Sequence, residues 1–134
     1  MLVYLSRNYV VQRLSDEESY RKKRERERLN KVIRYIEKHY TEVISVQELA
    51  DLLNLSKGRI EHLFRAAIGI SPLQYINEFR LKKAVNLIKG SDSALTEIAL
   101  AVGFGDYNHF GSLFKKYYGC MPSQLRSDDN SRIV

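Results

Sequence analysis

Of the side chains that most often do chemistry, this sequence holds three histidines, His39, His62 and His109, and one cysteine, Cys120. The histidines stand far apart with no ligand spacing, and one cysteine supplies neither a structural zinc site nor an internal disulfide. No Gly-x-Ser-x-Gly elbow occurs. Gly103-Phe-Gly105 starts like a dinucleotide fingerprint, but Asn108 occupies the place of the third glycine and no strand precedes it. No catalytic residue, metal site or cofactor is therefore expected, and an enzyme is disfavoured. What remains is hydrogen-bonding chemistry on two short stretches. One runs Lys57-Gly-Arg59-Ile-Glu61-His62-Leu-Phe-Arg65, the other Tyr107-Asn108-His109-Phe-Gly-Ser112-Leu-Phe-Lys115-Lys116. These groups suit base edges of nucleic acid. A histidine donates to a guanine acceptor, a glutamate accepts from cytosine N4, and an asparagine amide pairs bidentately with adenine.

The elements that must position them are helical. The chain has 134 residues, enough for one domain or two very small ones sharing a core. With 44% apolar residues it is globular in composition, and with only 7 Gly and 2 Pro it lacks the punctuation of an all-β fold. The net charge of +6 makes an anionic partner plausible. That excess is spread: residues 1–28 carry net +3, residues 29–126 net +4 and residues 127–134 net −1. No apolar run approaches the roughly 20 residues of a membrane span, and no signal peptide is evident, so a cytoplasmic protein without a membrane partner is expected.

An internal repeat organises the middle of the chain. At an offset of 49, Glu48, Leu49, Ala50 and Leu55 meet Glu97, Ile98, Ala99 and Phe104. Gly105 is then extra, and at an offset of 50 Ser56, Ile60, Leu63, Phe64, Arg65, Gly69, Pro72 and Gln74 meet Asp106, Phe110, Leu113, Phe114, Lys115, Gly119, Pro122 and Gln124. Each copy reads as two short helices joined by a turn, a helix-turn-helix. In the first, Ser45-Val-Gln-Glu48 is a capping box and Ser56 caps a second helix running to about Ala67. In the second, Glu97-Ile-Ala99 leads to the turn Gly103-Phe-Gly105, and Asp106 caps a helix to about Tyr118. Between them Ser71-Pro-Leu-Gln74 starts a linker helix to about Lys89, with Leu73, Ile76, Phe79, Ala84, Leu87 and Ile88 as core contacts. Its length of about 27 Å suits recognition helices held one DNA turn, about 34 Å, apart. A leading helix from about Arg28 to Tyr40 puts Leu29, Val32, Ile33 and Ile36 on one face. Before it, Asp16–Arg28 is a dense charge run, a solvated helix or a linker. Leu2, Leu5, Tyr9 and Val10 fall at helical spacing, as the remnant of an upstream domain or as an ordinary N-terminal helix. Residues 127–134 read as a flexible tail.

Arg80-Leu-Lys-Lys-Ala84, Glu97-Ile-Ala99, Val102-Gly-Phe-Gly-Asp106, Phe110, Leu113-Phe-Lys-Lys116, Gly119, Pro122 and Arg126 resemble the signature of the AraC/XylS-type DNA-binding domain. The resemblance covers about Leu29 to Arg126. It implies an all-α fold of about seven helices, two helix-turn-helix subdomains on a long linker helix, reading adjacent major-groove segments of a promoter. It also implies a transcription regulator, an activator in most relatives, that recruits RNA polymerase. Many relatives carry an N-terminal sensor or dimerisation domain, so residues 1–28 are read as its possible remnant, and the domain is expected to read DNA as a monomer or within a homodimer formed through that upstream domain. Departures from the family pattern are Met121 in place of a capping Ser or Thr, Leu125 in place of Tyr, and Gly111 and Ser112 in place of larger residues.

A helical wheel at 100° per residue assigns the side chains. Ile60, Leu63, Phe64 and Ala67 form the buried arc of the first recognition helix, opposite Gly58, Glu61, His62 and Arg65. In the second, Phe110, Leu113, Phe114 and Tyr117 are buried, and Asn108, Gly111, Ser112 and Lys115 face away. Base reading is expected from Glu61, His62, Arg65, Asn108 and Ser112. Backbone contacts are expected from Lys57, Arg59, Tyr107, Lys115 and Lys116. The first helix carries more base specificity. Arg80 is expected to bond protein groups at the subdomain junction. The alternative is a protein-interaction module on the same helical fold with DNA binding weakened or lost.

Overall fold

The computed structural model describes the backbone of residues 2–133 and the side chains of residues 15–127. Seven helices follow one another: α1 Leu2–His39, α2 Val46–Leu52, α3 Lys57–Ala67, α4 Pro72–Gly90, α5 Leu95–Ala101, α6 Tyr107–Tyr118 and α7 Pro122–Ile133. No strand occurs among the described residues.

The leading helix differs from its expected span. It is the last part of a single helix that starts at Leu2. No Gly or Pro stands between residues 2 and 45, and the run of Glu, Lys and Arg is a run of good helix formers, so the change in composition near residue 28 does not break the helix. Glu18 and Lys22, one turn apart, pair at 3.4 Å. The side chains of Leu2, Leu5, Tyr9 and Val10 lie outside the described residues. At the other end, no Gly or Pro interrupts residues 123–133, and α7 runs on through most of the segment read as a tail.

Local capping sets where the helices start. Ser56 Oγ accepts from Arg59 N at 3.2 Å, and Ser71 with Gln74 closes a reciprocal box at 3.2 Å in both directions. Ser45 accepts from Glu48 N at 3.1 Å, but the expected return bond is absent. The Glu48 carboxylate instead accepts from the Tyr35 hydroxyl at 3.0 Å, tying α2 to α1. That bond raises the Tyr35 pKa above its ordinary value. Helix α5 follows Ala94, which offers it no side-chain cap. Before α7, Met121 offers no capping oxygen, yet Gln124 Oε1 still accepts from Met121 N at 2.8 Å, leaving half a box.

Two cores result. Leu29, Val32, Ile36, Leu49, Ala50, Leu53, Ile60, Phe64 and Ile76 close the first; Leu81, Ala84, Ile88, Ile98, Ala99, Val102, Phe104, Phe110 and Phe114 close the second. The linker helix α4 enters both, Ile76 on one side and Leu81 on the other. This is why its core face departs from a single stripe. Leu73 and Leu87 are 56% and 39% exposed, whereas Leu81, absent from the expected set, is fully buried.

The repeat extends to the backbone. Leu55 N donates to Ala50 O at 2.9 Å, and its counterpart Phe104 N donates to Ala99 O at 2.9 Å. The turns place Asn54 (φ 55) and Gly103 (φ 103) in the left-handed region at matched positions, as do Gly69 and Gly119 after the recognition helices.

Candidate nucleic-acid interface

Helices α3 and α6 each bury one face and expose the other. Ile60 and Phe64 on α3, and Phe110 and Phe114 on α6, are fully buried, with Leu63, Leu113 and Tyr117 half-buried beside them. That periodicity leaves Lys57, Arg59, Glu61, His62 and Arg65 exposed on α3, and Asn108, Ser112, Lys115 and Lys116 exposed on α6. Tyr107 is half-buried, its ring 5.9 Å from Phe110, so of the expected backbone-contact residues it alone leans on the core. His109 is exposed with its ring edge-on to Phe104 at 5.9 Å.

Two positions depart from the wheel. Ala67, expected in the core, is exposed. It lines an open groove of about 500 Å³ with Leu63, Ala66 and Lys22, Glu25 and Arg26 of α1, which does not close over the end of α3. Gly111, expected to face away, is buried. A Cβ there would stand 3.4 Å from Met121 Cε, so this side of α6 is occupied by the start of α7 rather than offered to a ligand. The exposed side chains of α6 are thereby Asn108, His109, Ser112, Lys115, Lys116 and Tyr118.

The dipoles favour anions at the helix starts. Lys57 and Arg59 lie in the first turn of α3, where free amide hydrogens and two cations converge on one exposed end. On α6 the cations Lys115 and Lys116 sit instead in the last turn. Arg65 in the last turn of α3 matches Lys115 of α6, so both helices carry positive charge at their ends, and α3 alone also carries it at its start.

A junction holds the units together. Arg80 of α4 donates from Nε to the Tyr40 carbonyl and from Nη2 to the Glu42 carbonyl, both at 2.8 Å. Its guanidinium lies 5.8 Å from the centre of the Phe104 ring, and burial lowers its pKa from the ordinary arginine value. Tyr40 stacks edge-on against Phe79 at 5.2 Å. Although it follows α1, Tyr40 packs on the second core. Arg126 of α7 similarly donates to the carbonyls of Ser93 (2.7 Å) and Ser91 (3.2 Å) beyond the end of α4. The expected protein-bonding role of Arg80 agrees with these contacts, but its partners at residues 40 and 42 had no sequence signal. Among the described residues, no cluster of three His, Cys, Asp or Glu side chains could hold a metal ion, and no helix is long and apolar enough to cross a membrane.

Two helix-turn-helix units on one linker helix, each with an exposed polar face on its second helix, define a bipartite helix-turn-helix domain. A family model described as a helix-turn-helix domain matches residues 49–128. The chain is 32% identical over 133 residues to the HTH-type transcriptional activator RhaS of Enterobacter sp. (strain 638), covering 99% of this chain and 45% of that protein. It resembles the crystal structure of an AraC-type transcriptional regulator from Chromobacterium violaceum, with 26% identity, a TM-score of 0.72, and coverage of 78% of this chain and 93% of that one. It also resembles the DNA-binding domain of the global transcriptional factor AdpA in complex with a target DNA, with 27% identity, a TM-score of 0.74, and coverage of 78% and 94%. The chain belongs to the AraC-type helix-turn-helix family. It spans less than half the length of the RhaS relative.

Proposed function

We propose that the chain binds double-stranded DNA sequence-specifically by placing α3 and α6 in adjacent major-groove segments of a promoter, and that it activates transcription by recruiting RNA polymerase. The observation that carries this reading is the pair of exposed recognition faces held on one 19-residue linker helix, about 28 Å long, close to one turn of the duplex. Glu61, His62 and Arg65 on α3 and Asn108 and Ser112 on α6 read bases. Lys57, Arg59, Tyr107, Lys115 and Lys116 hold phosphates. The AdpA neighbour was crystallised with a target DNA, and the RhaS relative is named an activator, which supports both halves of the proposal.

In this reading residues 29–126 form the DNA-binding unit, residues 1–28 join it to an upstream sensor through which the protein dimerises, and residues 127–134 contribute nothing to DNA contact. The protein works in the cytoplasm and has no catalytic activity. Selection of bound DNA from a random pool tests the core of the proposal. Two enriched elements about one helical turn apart support it, and an unenriched pool sinks it. Salt separates it from a protein-interaction module: affinity for the selected DNA falls steeply with salt through counterion release, whereas an apolar protein contact lacks that slope.

A further inference from the structure

We propose that Arg80 is a positioning residue that fixes the angle between α3 and α6, and so sets which spacing between half-sites the protein accepts. The consequence for DNA rests on the bipartite reading above; the mechanical part does not.

The two cores share no buried residue, and α4 is the covalent connection between them. A single helix fixes a separation but leaves bending and rotation about its axis. A second connection is needed to fix orientation, and the junction supplies it. Tyr40 and Glu42 extend from the end of α1, whose other buried residues belong to the first core. The turn Gly103-Phe104 belongs to the second. Arg80 stands between them, giving two charge-assisted hydrogen bonds to carbonyls on one side and its guanidinium face to the Phe104 ring on the other. Its fork reaches both carbonyls because they are two residues apart on one chain segment, a geometry that a lysine ammonium on a flexible stem cannot copy. Gly103 leaves room for this: a Cβ there would meet the Tyr40 carbonyl oxygen and come within 2.8 Å of Arg80 Nε. Nε and Nη2 of Arg80 are both committed to protein carbonyls and its guanidinium lies beside the Phe104 ring, so the proposed effect on DNA reading is exerted through the angle.

Spin labels at Ala66→Cys on α3 and Lys116→Cys on α6, in a Cys120→Ser background, report the angle as an inter-label distance distribution without DNA. Both labelled positions are exposed. The wild-type junction is expected to give one narrow distribution, and Arg80→Ala a distribution at least twice as wide. In parallel, affinity is measured on the selected DNA with its half-sites moved by one base pair, which rotates one site by roughly a tenth of a turn. The intact junction is expected to lose about tenfold or more, and Arg80→Ala less than about threefold, with single half-site affinity kept. Arg80→Lys is expected to fall between them; it also serves if the alanine variant fails to fold. An unchanged distance width in Arg80→Ala, or in Arg80→Lys where only that variant folds, overturns the proposal. A broadened width with no spacing preference in the unsubstituted protein leaves the mechanical role standing and refutes the bipartite reading instead.

Discussion

Replacing Gly103 by alanine should be far more damaging than the same change at Gly119. Both glycines have positive φ, at 103° and 76°. A side chain in that region strains the backbone by about 1 kcal/mol at either site. Around Gly119 an added Cβ meets no atom within 4 Å, so the strain is the whole effect. At Gly103 the Cβ would overlap the Tyr40 carbonyl oxygen, a backbone atom that cannot rotate away. Relief requires displacing the turn from the end of α1, which weakens the bond from Arg80 Nε to that same oxygen. A hydrogen bond from a charged donor is worth about 1.5–3 kcal/mol. The expected loss for Gly103→Ala is therefore about 2.5–4 kcal/mol, against about 1 kcal/mol for Gly119→Ala. At roughly 3 °C per kcal/mol for a chain of this size, thermal unfolding followed by circular dichroism should show drops of about 10 °C and about 3 °C. The matched position in the first unit supplies a control. Asn54 adopts φ 55, which asparagine tolerates, so Asn54→Gly should change stability by less than about 1 kcal/mol, while Gly103→Asn should behave like Gly103→Ala. If Gly103→Ala proves no worse than Gly119→Ala, the crowding at the junction is not what demands glycine there.

Truncating Phe64 or Phe114 to alanine should cost about 3–5 kcal/mol each, with similar values because both rings are fully buried at equivalent places; denaturant unfolding measures it. His62→Ala and Asn108→Ala should each reduce discrimination between selected and scrambled DNA by about 1–3 kcal/mol in competition binding, with unchanged discrimination in both refuting their roles. Lys115→Ala should weaken all sequences alike and lower the slope of log K against log salt by about 0.9. Burial raises the pKa of Tyr75 and Tyr118 above 10.0. Their stabilising effect is thus complete below pH 10 and is lost as pH climbs from there through the folded-state values, because the unfolded chain ionises first. Denaturant midpoints taken on either side of pH 10 should fall on the alkaline side.

How much of this was legible follows from the range of the forces involved. Ile60, Phe64, Phe110 and Phe114 were readable as core because helical periodicity is local, and the same arithmetic left Glu61, His62, Arg65, Asn108 and Ser112 outside. The caps at Ser56, Ser71 and Asp106 were readable because each bonds within three residues of itself. Burial that depends on another element was not. Gly111 is closed by Met121 just before α7, Ala67 is left open where α1 stands off α3, and α4 trades Leu73 and Leu87 for Leu81 because it serves two cores in turn. The long α1 was obscured by a change in charge density that has no bearing on whether the backbone continues as a helix.

The junction is the instructive case, since residues 40, 80 and 103 share no spacing rule. Yet the repeat does carry a trace of it. Where the two units are aligned, both turns need a residue with positive φ. The first unit has Asn54 and the second Gly103. The second turn, at φ 103 against φ 55, lies further from what asparagine adopts, and it also faces a neighbour that an added Cβ would strike. That neighbour is the Tyr40 carbonyl with Arg80 bound to it. In a duplicated domain the matched positions identify what each copy requires to fold. The unmatched glycine shows where one copy leans on the rest of the chain, and here that place is the contact proposed to hold the two reading heads at a fixed angle.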